Sequence, residues 1–158
     1  MKKNELLEYM SEKEACRSAV DWVTESNCQT LAGLWESCEV GEWMLWLAEA
    51  AGVDMRRMLN AACDITDLVL CHVPDGEDRP RIANETRRKY ANGEATKEEW
   101  AAAGYAAWSA AISAARSAAW SAASDAARAA AWSAHADIVR KWINKETIEK
   151  AITEEETI

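Results

Sequence analysis

The residues able to do chemistry are few: His72 and His135, and the thiols Cys16, Cys28, Cys38, Cys63 and Cys71. Nucleophilic catalysis needs a base beside the nucleophile and a third group to orient that base. Neither histidine stands in such a motif, and neither E-x-x-H nor H-E-x-x-H occurs. Cys63, Cys71 and His72 come nearest. Eight residues is about two helical turns, which brings both thiols near one face with the imidazole next to the second. As zinc ligands their spacing is poor, and no two cysteines form a C-x-x-C pair. As a reactive thiol, either would need an electropositive, partly open pocket. The six glycines are scattered with no strand before any of them, so a phosphate-cradling loop is missing. The sequence therefore assigns no catalytic residue, no metal ligand and no cofactor, and reads as non-enzymatic.

Charged side chains gather in one place. Asp75, Glu77, Asp78, Arg79, Arg81 and Glu85 cluster at a turn and helix start, with Arg87, Arg88 and Lys89 one to two turns later. Guanidinium groups can grip a partner's carboxylates through paired hydrogen bonds. Asp78, Arg79, Arg81, Glu85, Arg87 and Arg88 are thus the candidate partner-binding residues. The competing reading is internal: Asp78 caps the helix, and an arginine ties the turn to a carboxylate on a neighbouring helix.

The elements that position these groups are all helical. Ser11-Glu-Lys-Glu14 reads as a capping box opening a helix to about Val23, with Ala15, Ala19, Val20, Trp22 and Val23 as its apolar face. Ser26-Asn27 ends it, and a short helix over Gln29–Cys38 carries Leu31, Leu34 and Trp35. Gly41 precedes a stretch to Ala51 that is apolar nearly all round, the mark of a buried helix, and Gly52 closes it. Asp54 caps a helix expected to run to about His72. Pro74-Asp75-Gly76 marks a turn, Pro80 falls in the first turn of the next helix, and Asn92-Gly93 stops that helix. Thr96-Lys-Glu-Glu99 is a further capping box.

Beyond it lies a twelve-residue repeat from Tyr105 to Arg140. Trp108, Trp120 and Trp132 are in register, each followed by Ser109, Ser121 or Ser133, and the blocks close with Arg116, Arg128 and Arg140. Alanine has the highest helix propensity, so the run is one long helix or two. Twelve residues turn a helix by about 120° beyond whole turns, so the three rings point to different sides. That suits a helix packed on several sides, with Trp filling gaps between small Ala columns. The other reading exposes part of the surface to a partner, since Trp and Arg are common interface anchors.

With 158 residues the chain can bury one core. The expected architecture is a compact all-α helical bundle with a long alanine-rich C-terminal helix or helix pair. It is divided as a single domain over 1–150, with short helices over 1–96, the Ala/Trp helix over 97–150, and an acidic tail over 151–158. Nine Trp with no Phe fit a core that sets large rings against small residues. The net charge of −9 lies almost wholly in residues 1–99. It argues against sequence-general binding to nucleic acid or an anionic membrane and permits a basic partner, including by mimicry of a phosphate backbone. Five thiols, no apolar leader in MKKNELLEYM and no apolar run of spanning length read as a reduced, cytoplasmic protein.

One resemblance spans roughly residues 28–140. Cys38-x-x-Gly41-x-Trp43-Met-Leu-Trp-Leu-Ala48, Ala61-Ala-Cys63, Val73-Pro-x-Gly-Glu-Asp-Arg-Pro-Arg81, Asn92-Gly-Glu-Ala-Thr96 and the Ala-rich segment follow in order. This looks like the all-helical immunity protein five family of polymorphic toxin systems and related small phage proteins. In that family a D-R-P-R-x-A-I-E helix precedes a W-x-x-G-E element. Asp78-Arg79-Pro80-Arg81, Ala83 and Glu85 match; Asn84 replaces the Ile, and Tyr90 and Asn92 stand where Trp and Arg are usual. The resemblance implies a binding protein that neutralises a toxin by occupying it, in a bacterial cell. The alternative is a phage-encoded inhibitor of a host defence effector, such as an anti-CRISPR protein, in an infected one. Self-assembly through the Ala/Trp helix is a third reading.

Overall fold

The computed structural model of the chain describes residues 1–68, 70–73, 75–104 and 125–155, the side chains of 72 and 125–131 excepted. Within them the fold is all-α: α1 (Lys3–Glu12), α2 (Arg17–Glu25), α3 (Leu31–Ser37), α4 (Gly41–Ala50) and α5 (Met55–Asp67) come first. A 3₁₀ turn (Leu70–His72) leads to α6 (Arg79–Ala91), helical residues 97–104 (α7), α8 (Asp125–Trp142) and α9 (Lys145–Glu155). Among the described residues, no helix is long and apolar enough to cross a membrane. The chain divides into two compact units, one of Met1–Asp54 with Trp132–Ile158, the other of Met55–Ala131.

In the first unit, α1 buries Leu6, Tyr9 and Met10 at helical spacing, α3 buries Leu31, Leu34 and Trp35, and α8 and α9 supply Val139, Ile148 and Ile152. Side chains from distant segments close the helix ends, whose last carbonyls have no partner within the helix. Lys3 Nζ donates to the carbonyls of Thr24 and Ser26, each at 2.7 Å, at the end of α2. Arg140 reaches from α8 to the end of α3, where its Nε donates to the Trp35 carbonyl at 3.2 Å and a second nitrogen to that of Cys38. Trp35 Nε1 returns the contact to the Ile143 carbonyl at 3.1 Å. The Tyr9 hydroxyl lies 2.9 Å from the Ala50 carbonyl and 2.7 Å from Glu155 Oε2, sharing its one hydrogen between the two acceptors. The start of α4 lies against α8: a Cβ on Gly41 would come within 2.8 Å of His135 Cβ and 3.0 Å of Ala136 N.

The second unit is built on α5 packed against α6. Arg56 donates to the Ala91 carbonyl at 2.7 Å, whereas Asp67, at the far end of α5, meets Asn84 and Arg88, so the two helices run antiparallel. Next to them, the rings of Tyr90 and Trp100 stack at 5.0 Å. The capping box at the start of α7 is present in both directions, Glu99 N donating to Thr96 Oγ1 at 3.1 Å and Thr96 N to Glu99 Oε2 at 2.7 Å.

Several boundaries differ from the sequence reading. Ser11 belongs to the last turn of α1, and the chain leaves that helix through Glu14 at φ 57°, so α2 starts only after Cys16. The helix after Asp54 stops at Asp67, short of His72. Asp78 occupies the cap position of α6, yet its side chain makes no cap hydrogen bond, because its backbone is already in the helical region. The alanine-rich run does not continue to 150. It breaks at Ile143-Asn144, where Asn144 Oδ1 accepts from Thr147 N at 2.9 Å and starts α9. Residues 151–155, read as part of an acidic tail, belong to α9: Ile152 is fully buried, and Glu155 accepts from Tyr9 at 2.7 Å. Trp132, expected in the core, is 46% exposed. Trp108, Trp120 and Arg116 lie outside the described residues, as does the Arg128 side chain.

Candidate partner-binding site

Of the six candidate residues, Asp78, Arg79, Arg81 and Glu85 are exposed, while Arg87 and Arg88 are half-buried. Arg88 spans to α5, its two terminal nitrogens each 2.8 Å from Asp64 Oδ1 and Asp67 Oδ2. Asn84, 4% exposed, donates from Nδ2 to the Cys63 carbonyl at 3.0 Å and to Asp67 Oδ1 at 2.7 Å. Among the described residues, its Oδ1 and the Nε of Arg87 are buried without a hydrogen-bond partner. The arginine that ties α6 to a neighbouring helix is therefore Arg88, in the third turn, while Arg79 pairs within its own turn with Glu77. That pairing holds the Glu77 carboxyl below the usual range. Asp78, Arg81 and Glu85 are exposed on the outer side of α6, with Ile82 (53% exposed) among them.

Of the sulfur groups, Cys63 is buried and Cys71 exposed, so the two thiols differ in environment. Burial pushes the Cys63 thiol up, against the pull of Arg87 and Arg88. Cys16 is exposed at the start of α2, where hydrogen bonds from Ser18 and the Ala19 backbone lower its pKa. Among the described residues, no group of three or more His, Cys, Asp or Glu could hold a metal.

A different feature, in the first unit, has the form of a binding site. Residues of α1 to α4 enclose an apolar cleft of about 40 Å³. Its floor includes Trp35, Met44 and Leu34, all but inaccessible. Trp22, Trp43 and Trp46 line it too and are half-buried. The Trp22 ring, from α2, lies 6.0 Å from the Trp43 ring of α4 at a tilt of 51°, within the range of favourable aromatic pairing. Cys38 is the one titratable residue in the lining, and burial pushes its thiol up while its Sγ faces the Val40 carbonyl at 3.6 Å. Such a lining offers contact area and no acid or base at neutral pH. Sequence reasoning put these tryptophans on buried helix faces and missed the opening. The available signal was their number: tryptophan is large and seldom fully buried.

The fold and site define an all-helical protein with an apolar, tryptophan-lined cleft. Compared with protein-family models, curated proteins and solved structures, the chain matches none.

Proposed function

We propose that this chain is a non-enzymatic, cytoplasmic binding protein that inhibits a larger effector by occluding it, in the manner of an immunity protein neutralising a toxin. The observation that carries this reading is the cleft of the first unit: large rings at an opening, and a single thiol that keeps its proton. An apolar hollow with few polar groups favours binding over bond-making. The outer side of α6 supplies a second contact area through Arg81, Ile82 and Glu85, which are exposed. The resemblance of Asp78-Arg79-Pro80-Arg81 to the immunity protein five pattern points the same way. A phage-encoded inhibitor of a host defence effector would use the same mechanism, and the acidity favours it where that effector is a basic, nucleic-acid-handling protein.

The test is capture of the tagged protein from its host's lysate, with and without phage infection, read by quantitative mass spectrometry. One strongly enriched toxin or defence effector, inhibited on addition of the pure protein, is the expected result. No enriched protein in either lysate overturns the reading.

A further inference from the structure

We propose that the tryptophan-lined cleft of the first unit receives a leucine-sized side chain from a basic amphipathic helix of another protein, seated by Glu25, Glu42 and Glu49. This rests on the binding-protein reading and names the chemistry of the partner. The first argument is charge. The first unit holds 17 Asp/Glu against 8 Lys/Arg, and the second holds 10 of each. The whole net charge of −9 therefore belongs to the unit that carries the cleft.

The second argument is placement. Residues three or four apart on a helix are surface neighbours, with Cβ atoms about 5–6 Å apart. Glu25 follows Trp22 by three residues in α2; in α4, Glu42 precedes Trp46 by four and Glu49 follows it by three. All three carboxylates are exposed, and none takes part in an ion pair among the described residues. The Lys3 ammonium near Glu25 is engaged by the Thr24 and Ser26 carbonyls. Carboxylates outside any ion pair beside an apolar hollow complement a helix with one apolar stripe and Lys or Arg flanking it.

The third argument is size. A water-sized body needs about 10–15 Å³ of such space, so about 40 Å³ takes roughly three of them, close to the branched end of a leucine. A cleft with apolar walls holds water poorly, and filling it leaves no polar group of the lining unsatisfied.

The experiment titrates synthetic helical peptides into the full chain, followed by calorimetry and tryptophan fluorescence. One peptide has a leucine stripe and lysines on its polar face; a second has glutamates there; a third keeps the lysines and scrambles the stripe. The lysine-stripe peptide is expected to bind saturably, one to one, and more weakly at high salt. The other two are expected to bind at least about tenfold more weakly, as charge and stripe are each required. Because Trp22→Ala or Trp43→Ala can disturb folding, the decisive variant changes only exposed residues. Glu25→Lys, Glu42→Lys and Glu49→Lys together should weaken the lysine-stripe peptide at least about tenfold, with helix content unchanged. Equal binding of all three peptides, equal binding to the charge-reversed chain, or no binding of the lysine-stripe peptide overturns the proposal. Any of these leaves the occlusion reading standing on its own capture experiment.

Discussion

At Gly41 the backbone of α4 approaches α8 so closely that a single methyl group has nowhere to go. The atoms it would meet include the His135 carbonyl carbon at 2.9 Å and the Ala136 nitrogen at 3.0 Å, and helix backbone cannot swing aside as a side-chain tip can. Gly41→Ala is expected to cost about 1–3 kcal/mol by overpacking, read as a lower midpoint in urea. An unchanged midpoint would mean that α4 does not rest on α8. The Cys38 thiol gives a second expectation. Its folded pKa is raised by burial, so above the ordinary thiol pKa the unfolded chain releases a proton that the folded chain keeps. Stability is then complete below about pH 8.5 and falls as pH rises from there towards the folded value. Cys63 is shifted the same way for the same reason. Changing both to Ala should lower stability at pH 7 yet flatten its decline between about pH 8.5 and 10. An equally steep decline in the double variant would place the titration elsewhere. Residue types on this scale were legible, whereas partners were not. That Arg140 closes the end of α3, more than a hundred residues away, follows from the packing and from no local pattern. Of the six candidate residues, the half-burial of Arg87 and Arg88 depended on which face of α6 meets α5, which the polar sequence of α6 does not declare.

Helix ends were misread where a residue stands in an unusual conformation for its type. Glu14 leaves α1 at φ 57°, a region that glycine enters freely and that costs other residues about 1–2 kcal/mol. The two bonds that close the helix are Ala15 N to the Met10 carbonyl at 2.9 Å and Glu14 N to that of Ser11 at 3.2 Å. A glycine at that position would have announced a stop. With glutamate there, Ser11-Glu-Lys-Glu14 imitates a start. Glu14→Gly should therefore stabilise the protein by about 0.5–1 kcal/mol, seen as a higher melting temperature; a lower one would refute the left-handed exit. By contrast, Gly52 and Gly93, at φ 67° and 77°, close α4 and α6 as their sequence positions indicate. The part of the alanine-rich segment that lies in α8 was legible as helix and illegible as packing, because alanine suits any helix and its neighbours leave no mark on it. Trp132 sits there on α8, 46% exposed. Trp132→Ala should cost about 1 kcal/mol, against about 3–5 for a tryptophan as enclosed as Trp35. A loss of the larger size at Trp132 would restore it to the core.

On the scale of the whole molecule, charge and contacts divide along the same line. The unit of Met1–Asp54 with Trp132–Ile158 carries all of the net −9, and the unit of Met55–Ala131 is neutral. The ion pairs of the first unit are mostly at the surface, such as Lys145–Glu36 at 3.4 Å with both side chains more than 40% exposed, and pairs of that kind contribute little. Self-repulsion among unpaired carboxylates should then outweigh them and oppose folding. Salt separates the two effects, since it weakens attraction and repulsion alike and the sign of the net change reveals which dominates. Raising ionic strength from about 0.01 M to 0.15 M shortens the screening length from about 30 Å to about 8 Å. The melting temperature should rise by about 2–4 °C, the shift that about 1 kcal/mol produces in a chain of this size. The same three substitutions that test the cleft, Glu25→Lys, Glu42→Lys and Glu49→Lys, replace three negative charges by three positive ones and so shift the net charge of −9 by six units towards zero. In that variant the salt-dependent rise should shrink and the low-salt melting temperature should increase. A melting temperature that falls with added salt would instead mean that ion pairs hold the first unit together. Its acidity would then stabilise the fold, and a basic partner would have to break those pairs before it could dock.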